Sequence, residues 1–222
     1  VREMVKEKGF LPQDAEQRDQ SWLDTYGMVQ TIMADFPEFL PNTYDQYYLY
    51  PDYKVSHLDP NFTRADEVMA GREKRVFTEC AEVIKEGKLG DKFHAISDAH
   101  AEMMIKVAEA IAYNKNDRHI LIVENNGAIA NMQDDAMVEV VCELGINGPR
   151  PMRVGNIPQF NLGLLVNQVS CEKLIVDAYF ENSYQKALEA FTLNRLINDA
   201  KKARKVLDAL IEANKGMWPE LR

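Results

Sequence analysis

HILIVEN at residues 119–125 and AMVEVVCEL at 136–144 decide the fold class, because they are β-branched runs in a chain whose other apolar patterns are helical. Both read as strands, with the Asn-Asn-Gly at 125–127 as a turn, and the Gly/Pro-rich GINGPRPMRVG at 145–155 reads as a loop. Upstream, SDAHAEMMIKVAEAIAYN (97–114) offers Ser97 as a helix cap and Met103, Ile105, Val107, Ala108 and Ile111 as an apolar face. Downstream, Pro158 opens a helical stretch to about Asn198 with a break near Asn182–Ser183, and a last helix runs from Ala200 to Gly216.

Further out, Thr63 and Asp66 form a capping box before a periodic run from Ala65 to about Glu86. Residues 13–35 place Trp22, Tyr26, Val29, Ile32 and Met33 at helical spacing and stop before Pro37. With no internal repeat and no linker, residues 1–222 are expected to form one mostly helical α+β domain with few strands.

Composition narrows the function. The 222 residues are 46% hydrophobic, enough for a substantial core, and the net charge of -9 disfavours nucleic acid or an anionic membrane as partner. The basic KKARK at 201–205 falls in a helical pattern and reads as a solvated face. Cys80, Cys142 and Cys171 are widely spaced among apolar neighbours, which suits reduced core thiols. No apolar run approaches the ~18 residues of a membrane span, and no glycine-rich dinucleotide fingerprint follows a strand. The opening VREMVKEKGF lacks an initiator methionine and reads as the start of a piece of a longer chain.

Chemistry concentrates in LPNTYDQYYLY at 40–50, where Tyr44, Tyr47, Tyr48 and Tyr50 each carry a hydroxyl that needs a partner if buried. The segment is either a wet aromatic patch or the wall of a polar pocket. Tyr44 is the first candidate. It can act as a general base only if a nearby cation or metal draws its pKa well below the usual ~10, and otherwise packs at the surface bonded to a backbone carbonyl. Arg64, at a helix start, is either an anchor for a phosphate or carboxylate or a surface partner of Asp59 or Asp66.

His57, His94, His100 and His119 show no metal-ligand spacing, and His100 reads as a helix-start residue in a structural hydrogen bond. Asp134, Asp135 and Glu181 read as solvated acids, while the glycines of ENNGAIA (124–130) and GINGPRP (145–151) read as turn residues, in a loop whose asparagines could also make a sugar-binding surface.

The stretches LPNTYDQYYLYPDY, NFTRADEVMAGRE, IAYN, LIVENNGAIANMQDDAMVEV, NGPRPMRVGNIPQF and ANKGMWPELR, in this order, resemble the C-terminal half of the NAD- and metal-dependent family 4 glycoside hydrolases. The likeness is greatest to members acting on 6-phospho-α-glucosides such as maltose 6'-phosphate. It implies a fold similar to the C-terminal domain of lactate and malate dehydrogenases, normally preceded by a Rossmann domain. NAD and a divalent metal such as Mn2+ are implied as cofactors with their main sites outside this chain, so no cofactor-binding or metal residue is assigned here. Tyr44 is implied as the catalytic base and Arg64 as a substrate contact near the phosphate.

The implied reaction is a redox-elimination: NAD takes a hydride from C3 of the phosphoglucose ring, Tyr44 removes the acidified C2 proton, the glycosidic oxygen leaves, water adds to the resulting double bond, and reduction of the ketone regenerates the cofactor. The implied partners are a phosphorylated disaccharide, the protein's own Rossmann domain and further copies of itself in a homo-oligomer, in the cytoplasm. The isolated chain is expected to be inactive. The alternatives are a phospho-β-glucosidase, a glycosidase of unphosphorylated sugars, a non-catalytic sugar-phosphate binding module, or a hydroxyacid dehydrogenase domain.

Overall fold

The structure is a computed structural model that describes residues 20–88, 99–197 and 199–222. The expected helix start at 13, the Trp22 side chain, His94, the Ser97 cap and Asn198 lie outside the described residues and side chains. Eight helices and three strands are present among those described, and the chain gathers into two compact units that divide after Glu67.

In the first unit, α1 (Gln20–Asp35) buries Tyr26, Met28, Val29, Ile32 and Met33 along one face, as the spacing predicts. Phe36 still donates its N–H to the Ile32 carbonyl at 2.8 Å, and Pro37 ends the helix. Two short helices follow, α2 (Asp45–Leu49) and α3 (Pro51–Ser56). Tyr50 separates them at φ -131° and ψ 52°, outside the helical region, because the ring of Pro51 crowds the residue before it.

The capping box before α4 (Arg64–Glu86) is present. The Thr63 N–H donates to Asp66 Oδ2 at 2.8 Å, and the Asp66 N–H returns to Thr63 Oγ1 at 3.4 Å. Donation from the Thr63 hydroxyl at 2.7 Å, and then from the Thr63 N–H, holds the Asp66 carboxyl below the usual range.

The second unit is built on an antiparallel sheet. Strand β1 (Asp117–Glu124) pairs with β2 (Met137–Gly145) from Asp117↔Leu144 to Glu124↔Met137. Along β2, Val138, Val140, Cys142 and Leu144 are buried while Met137, Glu139 and Val141 are exposed, the alternation of a sheet covered on one face. That face packs on Ala128, Ile129, Met132 and Ala136 of the β1–β2 loop and on Val169.

A third strand, β3 (Gly148–Pro151), extends the sheet in the order β1-β2-β3, where the sequence reads as loop. Pro149 and Pro151 hide it, since neither has an N–H for a ladder, and both are tolerated because β3 is an edge.

α5 (Ala99–Ala112) precedes the sheet and α6 (Gln159–Glu181) follows it. Asn182, left-handed at φ 54° and ψ 37°, ends α6, and Ser183 caps α7 (Tyr184–Leu193) by accepting from the Lys186 N–H, so the break falls where the sequence places it. α8 (Ala200–Ala213) starts on an Asp199 cap, buries Ala203 and Leu207, and packs Leu207 with Ala178 and Ala187. Lys201, Lys202, Arg204 and Lys205 are exposed, as expected of a solvated face.

Candidate active site

The Pro-Asn-Thr turn that carries Tyr44 is knitted by its own polar groups. Asn42 Oδ1 accepts from the Tyr44 N–H at 2.8 Å, the Asn42 N–H donates to Asp45 Oδ2 at 2.8 Å, and the Asp45 N–H donates to the Asn42 carbonyl at 3.1 Å. Burial of Asp45 raises its carboxyl above the ordinary value, although the Asn42 N–H pulls the other way.

The tyrosine at the tip is 68% exposed, at the N-cap position of α2. Its ring lies 6.3 Å from that of Tyr47, and Lys54 Nζ sits 5.3 Å from the Tyr47 ring centre.

The other tyrosines are half-buried, so the cluster divides into one presented phenol and three with packed rings. Tyr50 donates its hydroxyl to Asp35 at the end of α1. Burial, then that bond, then the Asp35 charge push the Tyr50 phenol up to about 12.

Beneath the turn, Gln46 is 1% exposed. Its Nε2 donates to the Thr43 carbonyl at 2.7 Å and lies 3.5 Å from Thr25 Oγ1 of α1. Asn42, Gln46 and Asp35 escape a sequence reading that concentrates on the aromatic rings. The N-x-x-D spacing of Asn42 and Asp45 is the signal that points to a self-capped turn.

Arg64 opens α4 with its side chain 62% exposed, and its Nη1 meets Glu67 Oε2 at 2.5 Å. Glu67, which the sequence reading does not name, supplies that ion pair, while Asp66 is engaged by Thr63. Tyr44 and Arg64 belong to the same compact unit but to different elements, with Tyr44 beside Tyr47 and Arg64 beside Glu67.

The remaining candidates resolve as structure. Asn125 is fully buried and bonded to the loop backbone, and Asn131 exchanges two 3.0 Å bonds with Ile157, so these amides are not free to bind sugar. Asp135 pairs with Lys173 at 2.6 Å, and Glu181 with Lys186 at 2.6 Å. His57 stacks on Tyr53, and His100 lies on an exposed part of α5.

Cys142 and Cys171 are buried, with desolvation raising both thiols, whereas Cys80 is exposed on α4 and is no core thiol. Between α6 and the end of α7 lies a cleft of about 600 Å³ lined mainly by Ile175, Val176, Phe191, Leu196 and Ile197, with no lysine or arginine to receive a phosphate. Among the described residues no three His, Cys, Asp or Glu side chains gather as a metal site, and no helix is long and apolar enough to cross a membrane.

The compact unit thus holds an exposed phenol on a self-capped turn and a helix-start arginine paired with Glu67. Comparison with known proteins makes the class definite. The family model described as the family 4 glycosyl hydrolase C-terminal domain matches residues 2–197, and the chain belongs to that family.

Within it, the chain is 48% identical over its whole length to a maltose-6'-phosphate glucosidase of Clostridium acetobutylicum, covering 50% of that protein. It is 81% identical to a 6-phospho-α-glucosidase from gut microorganisms solved in complex with NAD and Mn2+, with a TM-score of 0.91, covering 100% of this chain and 50% of that one. A second gut 6-phospho-α-glucosidase, in complex with NAD and glucose-6-phosphate, is 44% identical with a TM-score of 0.90, at the same two coverages. The chain thus spans about half the length of the relatives it matches. Its three-stranded sheet among helices bears out the α+β expectation.

Proposed function

We propose that this chain is the substrate-binding half of an enzyme that hydrolyses 6-phospho-α-glucosides, maltose 6'-phosphate among them, in the cytoplasm and as a homo-oligomer. The observation that carries the proposal is Tyr44. It stands 68% exposed on a fixed turn, in a chain 81% identical over its whole length to half of a 6-phospho-α-glucosidase.

Tyr44 is the base that takes the C2 proton of the bound sugar once C3 has been oxidised, and Arg64 faces the 6-phosphate. The substrate anion displaces Glu67 as partner of the guanidinium, an exchange of one carboxylate for a doubly charged group of matching geometry.

When bound, NAD supplies the hydride acceptor and Mn2+ the Lewis acidity of such a reaction. No metal centre forms among the described residues of this chain. Tyr44 takes the C2 proton as the glycosidic oxygen leaves, and Tyr47 and Tyr48 form the polar aromatic wall beside it.

The test is an assay of the full-length enzyme on the α- and β-anomers of nitrophenyl glucoside 6-phosphate, with Mn2+, in the presence and absence of NAD. Cleavage of the α-anomer that requires NAD and leaves no net NADH is the expected result. Cleavage of the β-anomer alone, cleavage without NAD, or steady accumulation of NADH each overturns the reading. Binding without turnover would mark a sugar-phosphate binding module instead.

A further inference from the structure

The peptide group between Thr43 and Tyr44 is held at both of its polar atoms by side-chain amides. Its N–H donates to Asn42 Oδ1 at 2.8 Å, and its carbonyl accepts from Gln46 Nε2 at 2.7 Å. A peptide group is planar, so fixing both atoms fixes the plane from which the Tyr44 Cα–Cβ bond departs.

Neither bond belongs to helix or sheet. Asn42 is exposed and closes its own turn with Asp45, whereas Gln46 reaches up from the interior and also meets Thr25 on α1. The Gln46 Oε1 is buried and has no partner. An apolar side chain of similar volume would fill the same space without desolvating an amide, so packing alone does not account for a glutamine there.

We infer that Asn42 and Gln46 are positioning residues for Tyr44, a two-sided amide clamp that sets the direction of the phenol. The inference rests on the reading of Tyr44 as the base. The clamp touches no substrate in this role. It narrows the arc through which the phenolic oxygen can swing, which matters because a proton-abstracting group misplaced by about 1 Å loses about a hundredfold in rate.

The test uses the full-length enzyme with NAD and Mn2+, and a 6-phospho-α-glucoside carrying either hydrogen or deuterium at C2. Gln46→Met and Asn42→Ala are expected to lower kcat by about 10- to 100-fold while KM stays within about threefold, the pattern of an interaction that matters in the transition state. In both, the C2 isotope effect on kcat rises, because proton removal becomes slower relative to the other steps. Asn42→Asp keeps an acceptor for the Tyr44 N–H and should lie nearer to wild type than Asn42→Ala.

A purely structural role would change the melting temperature and leave the isotope effect unmoved. Should Gln46→Met fail to fold, the exposed Asn42 carries the test alone. If Tyr44→Phe turns over normally, the base assignment itself falls. If Tyr44→Phe is inactive while Asn42→Ala keeps the wild-type kcat and isotope effect, the base stands and the clamp is wrong.

Discussion

Asn125, in the loop between β1 and β2, and Gln46, in α2, are both buried polar side chains, at 0% and 1% exposure. Asn125 Nδ2 reaches the carbonyls of Ile129, Met132 and Gln133 at 3.0, 3.2 and 3.0 Å, and its Oδ1 accepts from the Ile129 N–H at 2.7 Å. Gln46 uses only its nitrogen, and its oxygen is left over. The first amide ties together a loop whose backbone otherwise pairs through turns and an Ile129↔Gly155 bridge, and both its nitrogen and its oxygen are engaged. The second leaves capacity unsatisfied to hold one carbonyl beside a presented tyrosine. A buried polar atom without a partner costs free energy, so the Gln46 oxygen calls for a reason beyond packing that Asn125 does not.

The largest expected effect follows from Asn125. Replacing it with leucine strands the Ile129 N–H and the Met132 carbonyl inside the protein and removes one of two bonds to each of the Ile129 and Gln133 carbonyls, and should destabilise the full-length enzyme by about 3 kcal/mol in chemical denaturation. A cost below that of the Gln46 substitution would reverse the comparison.

Gly145→Ala probes the same unit. A Cβ there would sit 2.7 Å from Asn114 Oδ1, which accepts from the Ile146 N–H at 3.0 Å, and 2.7 Å from Asn116 Oδ1. The forced shift should cost about 1–2 kcal/mol, measurable as a lowered urea midpoint. Gln46→Met should cost about 1 kcal/mol or less, because the lost bond to Thr43 is offset by removing an unsatisfied oxygen. Its effect belongs in kcat.

Alkaline pH sharpens the contrast further. Tyr50 is shifted from an ordinary 10.0 to about 12, so the folded protein holds its proton where the unfolded chain has lost it. Its bond to Asp35 therefore contributes fully below pH 10.0 and fades as pH rises towards about 12. Wild type should be more stable than Tyr50→Phe at about pH 8, with the gap narrowing at about pH 11. A gap that widens with pH would contradict the assignment. The smallest effect concerns thiols: of Cys80, Cys142 and Cys171, only Cys80 should react with a thiol reagent under native conditions, and Cys80→Ser should abolish the signal.

Much of the framework is legible in the residues. Ile120, Ile122, Val138 and Val140 announce strands because β-branched side chains suit a pleated surface, and Asn182–Ser183 announces a helix break because asparagine tolerates left-handed backbone. β3 is illegible because its two prolines read as a turn until an edge position makes them harmless. Cys80 is misjudged because a helix with apolar spacing looks buried whether or not anything covers it.

At the candidate site, the tyrosine and the arginine stand out by type. The groups that fix the tyrosine do not, since Gln46 and Thr25 are 21 residues apart and Tyr50 and Asp35 are 15 apart. Only the fold brings those pairs together.

The junction between α6 and α7 carries a consequence for chain length. Lys186, one turn into α7, reaches back across the break to Glu181 at 2.6 Å and Asp177 at 3.1 Å, while Asn182 and Tyr184 exchange backbone bonds with Arg222. One residue inserted after Asn182 would leave the Ser183 cap on the Lys186 N–H intact, but it would shift Lys186 away from Glu181 and Asp177 and put Asn182 and Tyr184 out of step with Arg222. Although it sits on the surface and looks like any loop, this two-residue junction should be sensitive to a change of length, because ion pairs and the Arg222 backbone bonds both span it.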